Sequence, residues 1–239
     1  MKIGLTYTGF EEKHNNYLQW LKGNEDIELV TLSKDNRDDE IIKSLDGIVM
    51  SGGVDVHPKY YNGNTGYTNA PEHFDEERDL YEIAVFNISQ QNNIPLLCVC
   101  RGMQLVNCIL GGSLIQDIGS DANKIHRFQQ NDKAHGVNIE AGTLLNEIAQ
   151  LERGVVNSAH HQALNVVGNG LQINSISDDG ITEGLEWADK SNKSFLLCIQ
   201  WHPERMYKLG LQNSTLSKNI RDRFIEEIKK SITTKNENN

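Results

Sequence analysis

Two short stretches carry side chains suited to acyl-transfer chemistry. Cys100 stands in Pro95-Leu96-Leu97-Cys98-Val99-Cys100-Arg101-Gly102-Met103-Gln104, where an apolar run passes into small residues and then into a helix-forming segment at 103–110. A buried strand that turns sharply into a helix thrusts the side chain at the junction beyond the carboxyl end of a sheet, and small residues such as Cys98 and Gly102 permit the turn. The junction is also a helix N-terminus. Unsatisfied N–H groups and the positive end of the helix dipole favour thiolate over thiol there, which makes a cysteine nucleophilic near neutral pH. Far downstream, Gln200-Trp201-His202-Pro203-Glu204 supplies a base. In extended chain, residues two apart share a face, so Glu204 can hold one imidazole nitrogen of His202 while the other exchanges a proton. Each stretch alone also has a plain structural reading: most free cysteines are small buried hydrophobes, and a histidine at a strand end is often a solvated surface residue.

The elements that would position these groups alternate in kind. Residues 2–8, 27–33, 47–50 and 95–99 read as strands, separated by helix-period runs at 11–22, 38–44 and 75–90. In the last of these, Leu80, Ile83, Ala84 and Phe86 are expected to face the core, and Asp75-Glu76-Glu77-Arg78 to form a solvated acidic first turn. Such alternation predicts an α/β fold with a mainly parallel sheet, covered on both faces and joined by right-handed crossovers. The second half is more mixed, with strands expected at 135–140, 171–177, 184–187 and 195–201 and helices at 143–150 and 213–232. No linker or repeat interrupts residues 1–232, which read as one domain, and the polar residues 233–239 are expected to form a disordered tail.

Composition narrows the function. A chain of 239 residues with 38% hydrophobic and 23% charged residues is ordinary globular protein. Its net charge of −10 repels phosphate backbones and anionic lipid, so neither nucleic acid nor a membrane is expected as a partner. The apolar runs fall far short of the ~20 residues that cross a bilayer. Residues 1–10 lack the apolar centre of a secretory signal, and Cys98, Cys100, Cys108 and Cys198 are too unevenly spaced for a disulfide framework. A cytoplasmic location with reduced thiols is therefore the expectation. A zinc site built from His160, His161, His202 and a cysteine is not expected, because Cys98 and Cys100 lack the usual C-x2-C spacing, and neither metal nor cofactor is anticipated. His126 and His135 flank an expected loop and strand start, where packing is one reading, and their roles are left open.

Together the reactive stretches resemble a known family. Cys100-Arg101-Gly102-Met103-Gln104 is similar to the C-x-G-x-Q nucleophile elbow of class I glutamine amidotransferases, and Trp201-His202-Pro203-Glu204 to their W-H-P-E base segment. Ser51-Gly52-Gly53-Val54-Asp55-Val56-His57-Pro58, Glu77-Arg78-Asp79 and Asn157-Ser158-Ala159-His160-His161-Gln162 point to the γ-glutamyl-γ-aminobutyrate hydrolase-like branch, of peptidase C26 type. The resemblance spans roughly residues 1–210 and implies a flavodoxin-like three-layer αβα sandwich. It implies Cys100 as nucleophile, His202 as general base and acid, Glu204 as the partner that orients it, and the backbone N–H groups of Gly53 and Arg101 as the oxyanion hole. It also implies that Gln104 bonds the glutamyl end of the substrate, with His160 and His161 as further substrate-binding candidates. One departure stands out: the family often has glycine two residues before the nucleophile, where this chain has Cys98, a rival thiol.

The implied reaction is hydrolysis of a small-molecule γ-glutamyl amine, such as γ-glutamyl-GABA, to glutamate and amine through a thioester. A rival reading is a glutaminase subunit that passes ammonia to a partner synthase; a third is a non-catalytic protein of the same fold, disfavoured because all three triad residue types are present. Only 35 residues follow Glu204, room for a helix and a tail rather than a synthase domain, so a free-standing hydrolase is expected. Which amine leaves, set by loops around 54–69 and 119–134, is not legible, and a homo-oligomer is left open.

Overall fold

The computed structural model describes residues 1–23 and 25–237. In chain order its elements are β1 (Lys2–Thr6), α1 (Glu11–Lys22), β2 (Glu28–Leu32), α2 (Asp39–Lys43), β3 (Gly47–Met50), α3 (Glu76–Gln91), β4 (Leu96–Val99), α4 (Arg101–Ile109), β5 (Ser113–Ile115), α5 (Gly119–His126), β6 (Lys133–Ile139), α6 (Leu144–Ala149), β7 (Arg153–Ser158), β8 (Ala163–Val166), β9 (Leu171–Ser177), β10 (Thr182–Trp187), β11 (Leu196–Ile199) and α7 (Lys218–Glu237). Nine strands form one sheet in the order β2-β1-β3-β4-β11-β10-β9-β6-β7, and β5 pairs with β8 in a small second sheet. From β2 to β11 the neighbours run parallel; from β11 to β7 they run antiparallel.

The parallel half shows why short apolar runs became central strands. Every residue of β3, β4 and β11 is buried, because helices cover both faces of a parallel sheet. Successive side chains point to opposite faces. Val49, Leu97, Leu197 and Ile199 therefore pack with Tyr17 and Leu21 of α1 and Phe224 and Ile228 of α7. Ile48, Leu96, Cys98 and Cys198 pack on the other side with Ile42 of α2, Val85 of α3 and Met103 of α4. Two apolar cores separated by one sheet make the expected three layers, each large buried aliphatic side chain contributing roughly 1.5–3 kcal/mol of hydrophobic stabilisation.

Four sequence expectations change here. On α3 Leu80 is 52% exposed, and the inward face is Tyr81, Val85, Phe86 and Ile88 together with the charged Arg78, Asp79 and Glu82. The acidic turn is only partly solvated: Asp75 caps α3 by accepting from the Arg78 N–H at 3.0 Å, but Arg78 itself turns inward. α4 begins at Arg101 rather than at Met103, which makes Cys100 its N-cap. Finally, the closing helix α7 starts at Lys218 and continues through Glu237, with the Thr233 hydroxyl donating to the Lys229 carbonyl at 3.1 Å, where a disordered tail was expected from 233. Residues 238–239 of that tail lie outside the described residues. Among the described residues no helix is long and apolar enough to cross a membrane.

Candidate active site

The elbow is a strained junction held from both sides. Cys100 has φ 53° and ψ −106°, a left-handed conformation that a non-glycine residue adopts at a cost of about 1–3 kcal/mol. Its N–H donates to the Ile199 carbonyl at 2.7 Å and its carbonyl accepts from the Gln104 N–H at 3.2 Å, so β11 and α4 fix it between them. Gly102 lets the first turn of α4 lie directly on β3, since a Cβ there would collide with the Met50 carbonyl oxygen. No side chain caps α4, which leaves the Arg101 N–H at its first turn without an intrahelical acceptor.

His202 enters just past the end of β11, beside β4. Its N–H donates to Asn157 Oδ1 at 3.1 Å, and Asn157 Nδ2 donates in turn to Asp132 Oδ2 at 2.8 Å. Its ring nitrogen Nδ1 lies 2.9 Å from Glu204 Oε1. Arg205 Nε stands 3.3 Å from Asp132 Oδ2 and 3.6 Å from Glu204 Oε1. Burial pushes the Cys100 thiol up, but the charge and hydrogen bond of His202 pull it down further, leaving it below its ordinary value. Burial and Arg205 push His202 down, whereas Glu204 and Cys100 raise it by more, to about 9. The pair thus favours thiolate and imidazolium. The rival Cys98 is the reverse case: buried beside Cys198, its thiol is pushed well up.

The Ser51-Gly52-Gly53 loop closes over the same point. Gly52 donates to the Tyr17 hydroxyl at 3.0 Å, and a Cβ on Gly52 would come within 2.8 Å of His202 Cε1 and 3.6 Å of Cys100 Cβ. Arg78 holds this loop, donating to the Gly52 carbonyl at 3.0 Å and to Ser51 Oγ at 3.1 Å, while its Nε donates to Glu82 Oε1 at 2.7 Å. A side chain at Gly53 would strike the Arg78 guanidinium. Arg101 donates to Glu82 and to Asp79, and Asp79 accepts from the His57 N–H at 2.9 Å. Two buried arginines and two buried acids therefore neutralise one another and lock loop, elbow and α3 together.

Cys100, His202, Glu204 and Gly53 line one solvent-open cleft of about 210 Å³. Lys13, Phe128 and Arg205 line it too, and the sequence reading did not single them out. Arg205 adjoins Glu204 and could have been suspected; Phe128 lies within the 119–134 segment expected to set which amine leaves, and Lys13 on α1 carries no local signal. Gln104, His160 and His161 do not line the cleft. Gln104 is buried, its Nε2 donating to Gln200 Oε1 at 3.2 Å. The two neighbouring histidines diverge: His161 lies 3.0 Å from Asp55 and 3.4 Å from Asp117, whereas His160 turns inward to His126, His135 and Glu183, a set of possible metal ligands. The combination of His160 with His161 and His202 weighed from the sequence does not assemble.

Residues 13–204 match the family model for Peptidase C26. The chain is 35% identical over 196 residues to Protein NtpR of Enterococcus hirae, covering 78% of this chain and 76% of that protein. To the γ-glutamyl-γ-aminobutyrate hydrolase of Escherichia coli O157:H7 it is 32% identical over 176 residues, covering 70% of this chain and 66% of that protein. Among solved structures, the glutaminase domain of Trypanosoma brucei CTPS with bound acivicin superposes with a TM-score of 0.64 at 16% identity, over 96% of this chain and 94% of that one, a likeness of fold. A family match of that length, with relatives at this level of identity, makes the chain a member of the Peptidase C26 family, a hydrolase built on the glutamine amidotransferase fold.

Proposed function

We propose that the chain hydrolyses the γ-glutamyl amide bond of a small γ-glutamyl amine, such as γ-glutamyl-GABA, to glutamate and the free amine. The observation that carries the reading is the 2.9 Å contact of His202 Nδ1 with Glu204 Oε1, which leaves the other ring nitrogen for Cys100 at an uncapped helix start. The Cys100 thiolate attacks the γ-carbonyl carbon, and the N–H groups of Gly53 and Arg101 receive the developing oxyanion, each such donor being worth about 3–4 kcal/mol in acyl transfer. As the C–N bond breaks, the His202 imidazolium gives its Nε2 proton to the departing amine and becomes neutral. Water then loses a proton to the same nitrogen and adds to the thioester carbon, the thiolate leaves, and the glutamate γ-carboxyl group is released. Lys13 and Arg205 supply positive charge at the cleft for the carboxylates of a glutamyl substrate. The similarity to the E. coli hydrolase supports this substrate class.

Glutamate release from γ-glutamyl-GABA, γ-glutamyl polyamines, folate polyglutamates and glutamine, measured on the chain by itself, tests the reading. Hydrolysis of a γ-glutamyl amine that falls by about 10⁴-fold or more in Cys100→Ser, and survives in Cys98→Ser, is the expected result. Turnover of glutamine alone, and only once a synthase is supplied, would instead assign the chain as an ammonia-donating subunit.

A further inference from the structure

Behind the cleft, three histidines and one glutamate meet without hydrogen-bonding one another. His126 ends α5, His135 lies on β6, His160 follows β7 and Glu183 lies on β10, and all four are buried. Their facing atoms lie within 4.8 Å of one another. Glu183 Oε1 is 3.5 Å from His126 Nδ1, 3.5 Å from His135 Nε2 and 3.4 Å from His160 Nε2. None of those contacts is a hydrogen bond: His135 Nε2, His160 Nε2 and both Glu183 oxygens are buried without a hydrogen-bond partner.

The outer nitrogens explain why. His135 Nδ1 is 3.0 Å from the Gly136 carbonyl and His160 Nδ1 is 2.9 Å from the Gln162 carbonyl. His126 Nε2 is 3.0 Å from the Asp179 carboxylate. Carbonyl and carboxylate oxygens accept, so each outer nitrogen carries a proton, and any ring without a second proton turns a lone pair inward. The Ser158 hydroxyl, 3.3 Å from His126 Nδ1, can donate to one of those lone pairs, and nothing comparable serves the other two. Protonating all three rings would gather three imidazolium ions, two ring pairs having centroids 4.3 and 4.9 Å apart, around one carboxylate. Protonating one satisfies Glu183 and leaves lone pairs buried. Leaving a buried carboxylate unpaired is more costly still.

A cation resolves the set. Zinc binds imidazole nitrogen at about 2.0–2.1 Å, and a tetrahedron of that size has edges of about 3.3–3.4 Å, close to the separations from Glu183 Oε1. Three imidazoles with one carboxylate suit zinc and its transition-metal neighbours, and not calcium or magnesium, which require oxygen ligands. The outer contacts to Gly136, Gln162 and Asp179 are the second layer that orients histidine ligands and sets their tautomer. None of the four residues lines the cleft, so no open position faces the substrate, the mark of a structural rather than a catalytic ion. We infer that His126, His135, His160 and Glu183 form a structural binding site for one divalent transition metal ion, zinc in the first instance. The ion would tie α5, β6 and β10 to the loop after β7, next to Ala159 in the cleft wall and to Asn157, whose side chain holds the His202 backbone.

The test uses the full chain carrying Cys100→Ser, so that zinc captured by the reactive thiol is not counted. After exchange into metal-free buffer, mass spectrometry is expected to find one zinc per chain. Stripping it with a chelator should lower Tm and adding zinc restore it, because the ion binds the folded state. His135→Gln and Glu183→Gln should lose both the zinc and the Tm response, and Asp179→Asn should weaken zinc binding by about 10–100-fold. Cobalt in place of zinc should show the visible absorption of a four-coordinate ion, a reading that needs no further variant to fold. Zinc retained equally by His135→Gln, or a chain that neither holds zinc nor responds to it in Tm, overturns the inference. No readout involves turnover, so this site and the hydrolase reading fail separately.

Discussion

Two buried charged clusters lie beside Cys100, and they are built on opposite terms. In the first, the guanidinium groups of Arg78 and Arg101 face the carboxylates of Glu82 and Asp79 and the Gly52 carbonyl, so donors meet acceptors. In the second, three imidazole nitrogens and the Glu183 carboxylate face one another, and only the Ser158 hydroxyl is placed to donate, to His126. Both are as buried as the apolar core. Burial of charge is thus tolerated in two ways: the fold can supply the complement itself, as it does around the Ser51-Gly52-Gly53 loop, or it can leave a cage for an ion from outside to complete. Glu204 stands between the two cases, with Oε1 on His202 and Oε2 without a hydrogen-bond partner.

The sharpest way to break this contrast is Glu82→Ala, which leaves two guanidinium groups buried without their shared acid. Loss of one partner from such a group typically costs about 3–5 kcal/mol, read from urea unfolding, and a cost below about 1 kcal/mol would mean that the cluster is not closed as described. A smaller effect is expected from pH. The kcat/KM of the proposed hydrolysis needs thiolate and imidazolium together, so it should fall at low pH as Cys100 takes up a proton and fall again above about 9 as His202 loses one. Because the Glu204 carboxylate helps to raise His202, Glu204→Gln should move the alkaline limb to lower pH as well as slow turnover; an unmoved limb would detach Glu204 from the pair. Smallest of all is Glu183→Gln in metal-free protein. The amide can donate to a histidine lone pair, so stability should be unchanged or rise by about 1 kcal/mol, and a loss as large as that of Glu82→Ala would show that the second cluster is closed after all.

Much of this arrangement was legible before any coordinates, and the residues say which part. The runs at 47–50 and 95–99, followed by small residues, pointed to strands that lead into the Ser51-Gly52-Gly53 loop and the elbow, because strand, turn and helix are local patterns. The spacing of His202 and Glu204 put the acid within reach of the imidazole, but extended chain was expected there, whereas Glu204 stands in a short 3-10 turn, Pro203–Leu209, that starts directly after His202. Less could be read where charge replaces apolar periodicity. On α3 the inward face includes Arg78, Asp79 and Glu82, so a pattern of apolar residues placed Leu80 inside when it is outside. Beyond α4, β5, α5, β7 and β8 went unforeseen: α5 is mostly polar, and the three strands are too short to show a period.

The order of residues by itself determined the α/β class, the strained elbow and the histidine with its acid, because each depends on neighbours within a few positions along the chain. Only the folded arrangement decided that Lys13 and Phe128 share the cleft with Cys100, that His160 and His161 part company, and that His126, His135, His160 and Glu183 meet. Those four lie on separate segments of the antiparallel half, and the matching of a donor to an acceptor, or of lone pairs to a cation, is a property of space that no stretch of sequence carries.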